Sequence, residues 1–447
     1  MKTLGRRLAL AACLLVPTLV QAANTYPIIL VHGFAGWGRD ELFGLKYWGG
    51  GFVSGGERDL QAVLTNNGTV TKTAAVGPLS SNWDRAVELF YQIKGGCVDY
   101  GPFHSNNLYK TDGTRDSRTI IRKLDGGTNP DGTKRPRKCW AKSASNNPNN
   151  DPLALYPEWG NDATKKVHFV SHSQGGQTVR QLLQLLRAGS PNDLAADAAL
   201  YDESTQPNPY RGGKNWVSSI TTLASPHDGT TLASGFQMLG IVQQLVGAAA
   251  AGAGLVSGDN VIYDLKLDQW GLKRTPGETF TSYFNRVKAS PIWSESKNVS
   301  LWDLSPDGAK ELNQRVAHYN DVYYFSYQTK STYKGLFGRQ YPIVSNLLLL
   351  QPFALFMGSY TRSGVPNRVD IDSSWWENDS VVNSRSMKAP AGASVVNYTS
   401  GTPTLGAWNF MGQYNNWDHL DIVGTLTLRD INPIYKNHAN ILKTLSN

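Results

Sequence analysis

The chain has 447 residues, 40% of them apolar and 17% charged, with 44 glycines and 22 prolines, a mix that belongs to a globular protein and excludes disordered, collagenous and coiled-coil chains. At roughly 150 residues per domain the length admits about three domains, and equally one large α/β unit with insertions. The formal charge of +8 includes Lys2, Arg6 and Arg7, and without them the remaining +5 is too small and too scattered to imply a nucleic-acid partner.

Residues 1–23 read as a secretory signal: a basic stretch through Arg7, an apolar run from Leu8 to Val20, then the small residues Ala22 and Ala23, where cleavage is expected. Leu10-Ala11-Ala12-Cys13 also fits a lipoprotein box, but the apolar stretch before Cys13 is short for that purpose and a longer one follows it. Removal of Cys13 leaves Cys97 and Cys139, and in an oxidising compartment an even pair is expected to be bridged, with two buried thiols as the competing reading. Residues 24–447 are expected to form a single domain.

Tyr26 to Val31 is a short apolar run that predicts a buried strand ending at His32-Gly33. Asn82 to Lys94 repeats apolar residues at Ala86, Leu89, Phe90 and Ile93, the spacing of one helix face. Residues 105–153 are rich in Asn, Gly, Asp and Lys with little periodicity and read as a long surface insertion stapled at its base by Cys97 and Cys139. A second buried strand is predicted at Val167 to Val170. It feeds a helix from Gly175 to Ala188, with the stripe Val179, Leu182, Leu183 and Leu186 and a terminating Gly189. Further strands are predicted at Val217 to Ala224 and Val322 to Tyr327. Strands alternating with helices imply a mostly parallel sheet with helices on both faces. Between them, the 25 residues from Leu232 to Val256 carry no charge and are long enough to span a bilayer. Three glutamines and five glycines make that a poor spanning helix, so a mobile or core-packed apolar helix is the better reading.

The strongest chemical signal is Ser171-His172-Ser173-Gln174-Gly175, placed between a predicted strand and a predicted helix. A nucleophilic serine in an α/β-hydrolase sits on a strained strand-to-helix turn, and the residues two before and two after it are small so that backbones can pass closely. Ser171 stands where glycine is usual. Such a serine needs a base and a carboxylate, in this fold in the order Ser, Asp, His. His419 and His438 lie far enough downstream to serve as base. His419 precedes an apolar run, whereas His438 sits in a terminal polar helix pattern and is expected to face solvent. The residues alone leave Asp370, Asp372 and Asp379 nearly level as the carboxylate.

The chain resembles the thermoalkalophilic bacterial true lipases and the staphylococcal lipases. The resemblance is carried in order by Tyr26 to Phe34, Phe43 to Gly50, Ala75 to Arg85, Val98 to Gly101, the serine turn, Ser225 to Thr231, Lys266-Leu267-Asp268-Gln269-Trp270-Gly271, Glu377-Asn378-Asp379 and Asp418-His419-Leu420. It implies an α/β-hydrolase with Ser173 as nucleophile, His419 as base and Asp379 as its orienter. It also implies an oxyanion hole from the backbone N–H groups of Phe34 and Gln174, although Phe34 equally suits the wall of an acyl pocket. The family's zinc ligands match at Asp84, His104 and Asp268, while the fourth would fall near Asn149 to Asp151, where no histidine exists and Asp151 is the available substitute. A metal-free hydrogen-bonded cluster is the competing reading. The family's calcium site is matched by Asp421, with Asp430 as a shifted second carboxylate. The resemblance places a mobile lid in Leu232 to Val256, with Gly235 and Gly252 to Gly254 as hinges.

The expected activity is that of an extracellular or periplasmic carboxylic-ester hydrolase, foremost a triacylglycerol lipase working through an acyl-enzyme on Ser173, with no cofactor for the chemistry and a lipid substrate at an oil–water interface. Neither nucleic-acid binding nor integral membrane insertion is expected, and the oligomeric state is not legible. Rival readings are a depolymerase of aliphatic polyesters, a short-chain carboxylesterase, and a non-catalytic surface-binding protein that keeps the fold.

Overall fold

Short apolar runs with no polar alternation become strands only when both faces of the sheet are covered, and Ile28–Val31 and Val167–His172 are buried at every position. The computed structural model describes residues 24–446 except 51–57, 205, 236–237 and 253–262. The proposed signal segment, Phe236, and the end of the proposed lid beyond Gly252 therefore lie outside the described residues. In chain order the strands are β1 (Ile28–Val31), β2 (Thr71–Ala74), β3 (Gly96–Cys97), β4 (Cys139–Trp140), β5 (Val167–His172), β6 (Val217–Leu223), β7 (Tyr323–Lys330), β8 (Thr332–Lys334), β9 (Gln340–Pro342), β10 (Val395–Asn397) and β11 (Trp408–Asn415).

Seven of them form one sheet in the order β10-β11-β7-β6-β5-β1-β2, and every pairing in it is parallel. Alternation along β1 separates two cores. Ile29 and Val31 join Phe169, Val179, Leu182, Leu183 and Leu186 on one face, under the helices Asn82–Lys94 and Gln174–Ala188. Ile28 and Leu30 join Val170 and Leu223 on the other, against the helices Phe280–Lys288 and Asn432–Lys443. Each buried Leu or Ile removes enough apolar area from water to contribute about 1.5–3 kcal/mol, so the stripe at 179, 182, 183 and 186 is what holds the second helix to the sheet.

The helix expected at 82–94 is observed with those bounds, started by Ser81, whose hydroxyl accepts from the Asp84 N–H. The helix expected from Gly175 begins one residue earlier, at Gln174, and its last turn is closed by Gly189 at φ 73°. The predicted strand at 167–170 runs two residues further, to His172, directly into the serine turn.

Residues 105–153 form the expected surface insertion, and a ladder of isolated bridges orders it, among them Asp99 with Lys123, Tyr109 with Arg115, Asp125 with Arg137 and Thr128 with Lys134. Asx turns at Asp112, Asp125 and Asp131 and Arg–Asp pairs such as Arg135 with Asp125 take the place of apolar periodicity, while Leu108, Ile120 and Leu124 anchor the insertion in the core. Cys97 and Cys139 are disulfide-bonded across the β3–β4 pair. Among the described residues no helix is long and apolar enough to cross a membrane.

Candidate active site

At the C-terminal end of β5 the chain must reverse into a helix within one residue, and Ser173 takes that turn at φ 54°, ψ −130°, a conformation costly for any residue with a Cβ. The turn fits only because its neighbours are small. A Cβ on Gly175 would lie 2.4 Å from the Val31 carbonyl oxygen, and one on Gly33 would lie 2.5 Å from the Ser173 Cβ. Ser171 is accommodated because its hydroxyl donates to the Thr221 carbonyl oxygen at 2.7 Å.

Asp379 and His419 meet beside this turn. His419 Nδ1 donates to Asp379 Oδ2 at 2.7 Å, and the His419 backbone N–H donates to the Asp379 carbonyl oxygen at 3.0 Å. The fully buried carboxylate also accepts from the Thr329 hydroxyl at 2.7 Å and from the N–H groups of Val381 and Val382 at 3.0 and 2.8 Å. The two carboxylates left level with Asp379 by sequence lie elsewhere: Asp372 is exposed and accepts from the Ser374 N–H, and Asp370 accepts from the Gly364 N–H.

His438 corrects its expectation. It is buried, held between the hydroxyls of Thr221 and Tyr327, and burial pushes its imidazole down to about 3. The apolar residues of its helix, Tyr435, Ala439 and Leu442, carry it beneath the sheet.

Ser173 and His419 line one narrow cavity together with Phe34, Met238, Ile241, Leu245, Leu350, Val381, Leu420 and Leu426. Met238, Ile241 and Leu245 belong to the helix Met238–Gly252, part of the uncharged segment, whose Leu239, Val242 and Val246 pack into the sheet-side core while Gln243 and Gln244 face outward. Gln174 is the first residue of its helix, where backbone N–H groups have no intrahelical partner, and Phe34 stands on the loop after β1. Phe34 lines the cavity that Ser173 also lines, and Gln174 follows Ser173 directly in the chain.

Sequence reasoning missed two supporting residues. His172 Nε2 donates to the His419 carbonyl oxygen at 3.0 Å, its Nδ1 accepts from the Tyr47 hydroxyl at 2.6 Å, and that hydroxyl accepts from the Gly33 N–H. Burial and the neighbouring His419 hold His172 well below the usual imidazole range, so it is a neutral strut between the loop after β1 and the histidine loop. Both residues lie inside motifs quoted above, but nothing in their spacing reveals the pairing.

The residues matched to zinc ligands do not make a zinc cage. Asp84 Oδ1 accepts from His104 Nε2 at 2.9 Å, while Oδ2 accepts from the side-chain amides of Gln269 and Asn298 at 3.0 Å each. Asp151, the expected substitute, is tied instead to the Arg137 guanidinium. A fixed cation also enters this region: Lys138, beside Cys139, ion-pairs with buried Glu88 at 2.9 Å, and its charge also acts on Asp268. The calcium expectation fares alike. Asp421 is held by Thr427, by the Arg429 guanidinium at 3.0 Å and by the Asp418 N–H, while exposed Asp430 accepts from the Asn432 N–H. Among the described residues no three His, Cys, Asp or Glu side chains converge to hold a metal ion.

A seven-stranded parallel sheet with helices on both faces and a serine turn at the end of a central strand defines an α/β-hydrolase fold. The chain belongs to the lipase-like, C-terminal domain family, whose model matches residues 24–127 and 150–446, with the gap between the two stretches in the middle of the insertion. It is 33% identical over 407 residues to a lipase of Staphylococcus epidermidis, covering 90% of this chain and 51% of that protein, so it spans about half the length of the curated relatives it matches. Lipase 1 from Pelosinus fermentans superposes with a TM-score of 0.74 at 41% identity, over 95% of this chain and all of that one. EstA from Clostridium botulinum superposes with a TM-score of 0.77 at 36% identity, over 95% of this chain and 88% of that one.

Proposed function

We propose that the chain is a secreted serine carboxylic-ester hydrolase acting foremost as a triacylglycerol lipase. The observation that carries this reading is the 2.7 Å bond from His419 Nδ1 to buried Asp379, with His419 lining the same cavity as strained Ser173. His419 Nε2 takes the Ser173 hydroxyl proton as Oγ attacks the ester carbonyl carbon. The resulting oxyanion is stabilised by the N–H groups of Phe34 and Gln174. Collapse expels the alcohol, which receives the proton from His419, and leaves an acyl-enzyme that water, deprotonated by the same imidazole, then cleaves. Asp379 fixes the tautomer and stabilises the imidazolium. The apolar lining from Met238, Ile241, Leu245, Leu350 and Leu426 suits an acyl chain and offers no charged partner to a polar one.

The test compares purified protein on emulsified long-chain triglyceride, a soluble short-chain ester and a polyester film. The lipase reading expects the highest turnover on the emulsion. Turnover confined to the soluble ester makes the protein a carboxylesterase, preference for the film makes it a polyesterase, and no turnover on any ester leaves the binding-protein reading.

A further inference from the structure

We infer that the segment from β8 to the helix Gln351–Met357 is a permanent anchor that seats the protein on a lipid–water surface bearing anionic groups, such as the carboxylates released by lipolysis. The inference rests on the lipase reading and adds to it a docking element separate from the helix that covers Ser173. The 22 residues from Gln340 to Thr361 carry no charge, and between Thr332 and Thr361 the only charged residues are Lys334 and Arg339. Both cations are exposed, at the two sides of the β8–β9 turn.

The segment displays large apolar side chains that the fold leaves uncovered: Phe337 is 85% exposed, Val344 96%, Leu348 79% and Leu336 68%. Single exposed apolar residues are ordinary, but this is a run along one segment with a cationic rim. Phe337 sits at φ 57°, a left-handed conformation costly for a bulky residue, with its side chain largely exposed among the described residues. The strained turn thrusts Leu336 and Phe337 outward.

Continuity with the site says what covers this surface. Leu350, two residues beyond the exposed Leu348, lines the cavity around Ser173 and packs with Met238 and Ile241. The Leu347 N–H donates to Asp418, next to His419, and the Asn346 amide donates to the Ser331 carbonyl and to the Ser380 hydroxyl, next to Asp379. The Asn378 amide donates to the Ala354 carbonyl oxygen. The exposed apolar residues are thus mounted rigidly on the loops that carry the base and the carboxylate. A surface that seats them brings its acyl chains to the cavity mouth. Apolar insertion flanked by cations is the chemistry of binding at an anionic lipid interface.

Vesicles of dialkyl-ether phosphatidylcholine doped with oleic acid present such a surface with no ester to hydrolyse. Two variants are compared with the unaltered protein by co-sedimentation: Leu336→Ser with Phe337→Ser, Val344→Ser and Leu348→Ser, and Phe337→Gly alone, which removes the ring while relieving the backbone. The fourfold variant should lose at least about tenfold in partition coefficient and Phe337→Gly a smaller part of it. Both should keep the unaltered turnover of a soluble short-chain ester and an unaltered or raised Tm. Leu153→Ser, in the insertion and similarly exposed, should partition like the unaltered protein. Binding that resists both variants, or that falls equally with Leu153→Ser, overturns the anchor. Protein that binds through this segment but hydrolyses no triglyceride overturns the lipase reading and leaves the anchor standing.

Discussion

Asp379 shows how much chemistry a single buried side chain can be given by its surroundings. Its two oxygens accept from one hydroxyl, one imidazole and two backbone N–H groups, so an asparagine, which keeps one acceptor oxygen, is the substitution that probes its part in the site with least damage to the fold. Ser173→Ala should therefore abolish ester turnover in a folded protein, and His419→Ala should come close to the same loss, because nucleophile and base act as a unit. Asp379→Asn should cost less than either, while Asp372→Asn, at an exposed capping position, should change the rate by less than about twofold. Steady-state rates on one soluble ester check all four. Retained turnover in the serine variant ends the mechanism, and a larger loss at Asp372 than at Asp379 reassigns the carboxylate. Sequence order alone left three aspartates level, because what separates them is burial and the donors around them, and neither is a local property.

At the scale of elements, the helix Met238–Gly252 closes the cavity with one apolar stripe and joins the core with another. Opening it in water would expose apolar area beyond what soluble monomers ordinarily show, so an oil surface should favour the open form. Activity per molecule is expected to rise when the substrate passes its solubility limit. Ile241→Ser, which weakens the cover, should raise turnover of a dissolved ester and shrink that rise. An unchanged ratio between the two regimes would make the helix a fixed part of the core. The insertion is held differently. The Cys97–Cys139 bridge closes a separation of 42 residues, worth about 3–4 kcal/mol on the chain-entropy model, and it sits beside Lys138, whose ammonium meets buried Glu88. Cys97→Ser with Cys139→Ser should lower the urea midpoint accordingly, whereas a chelator should leave it unchanged. A chelator-sensitive Tm would show that a metal is bound where the donors do not converge. Sequence revealed the two cysteines and the polar character of this stretch. It did not reveal its order, because Asx turns and Arg–Asp pairs leave no periodic trace.

For the whole molecule, buried neutral histidines set the response to acid. Burial pushes His168 and His438 from 6.5 down to about 3, and holds His32, His172 and His227 well below the usual range. The unfolded chain binds these protons near pH 6.5 and the folded chain does not, so stability is full above that value and is lost as pH falls toward 3. Each such histidine contributes about 1.4 kcal/mol per pH unit within that window. The urea midpoint should fall between pH 7 and pH 5, and His438→Gln should flatten the slope. A midpoint indifferent to pH over that interval would mean that these imidazoles are solvated or already charged in the folded protein.

By itself the sequence determined the alternation of strands and helices, the serine turn and the uncharged helix after Leu232, because each depends on neighbours within one element: burial on both faces of a strand, one stripe of a helix, small residues around a tight turn. The resemblance singled out Asp379, and the tertiary structure shows why it meets His419; only the tertiary structure decided that His438 lies beneath the sheet, that Tyr47 and His172 brace the histidine loop, and that Asp84 and Asp421 are satisfied by amides, a hydroxyl and guanidinium or imidazole groups. Those outcomes depend on contacts between residues far apart in the chain, where hydrogen-bond partners and burial are set by how the sheet brings its loops together.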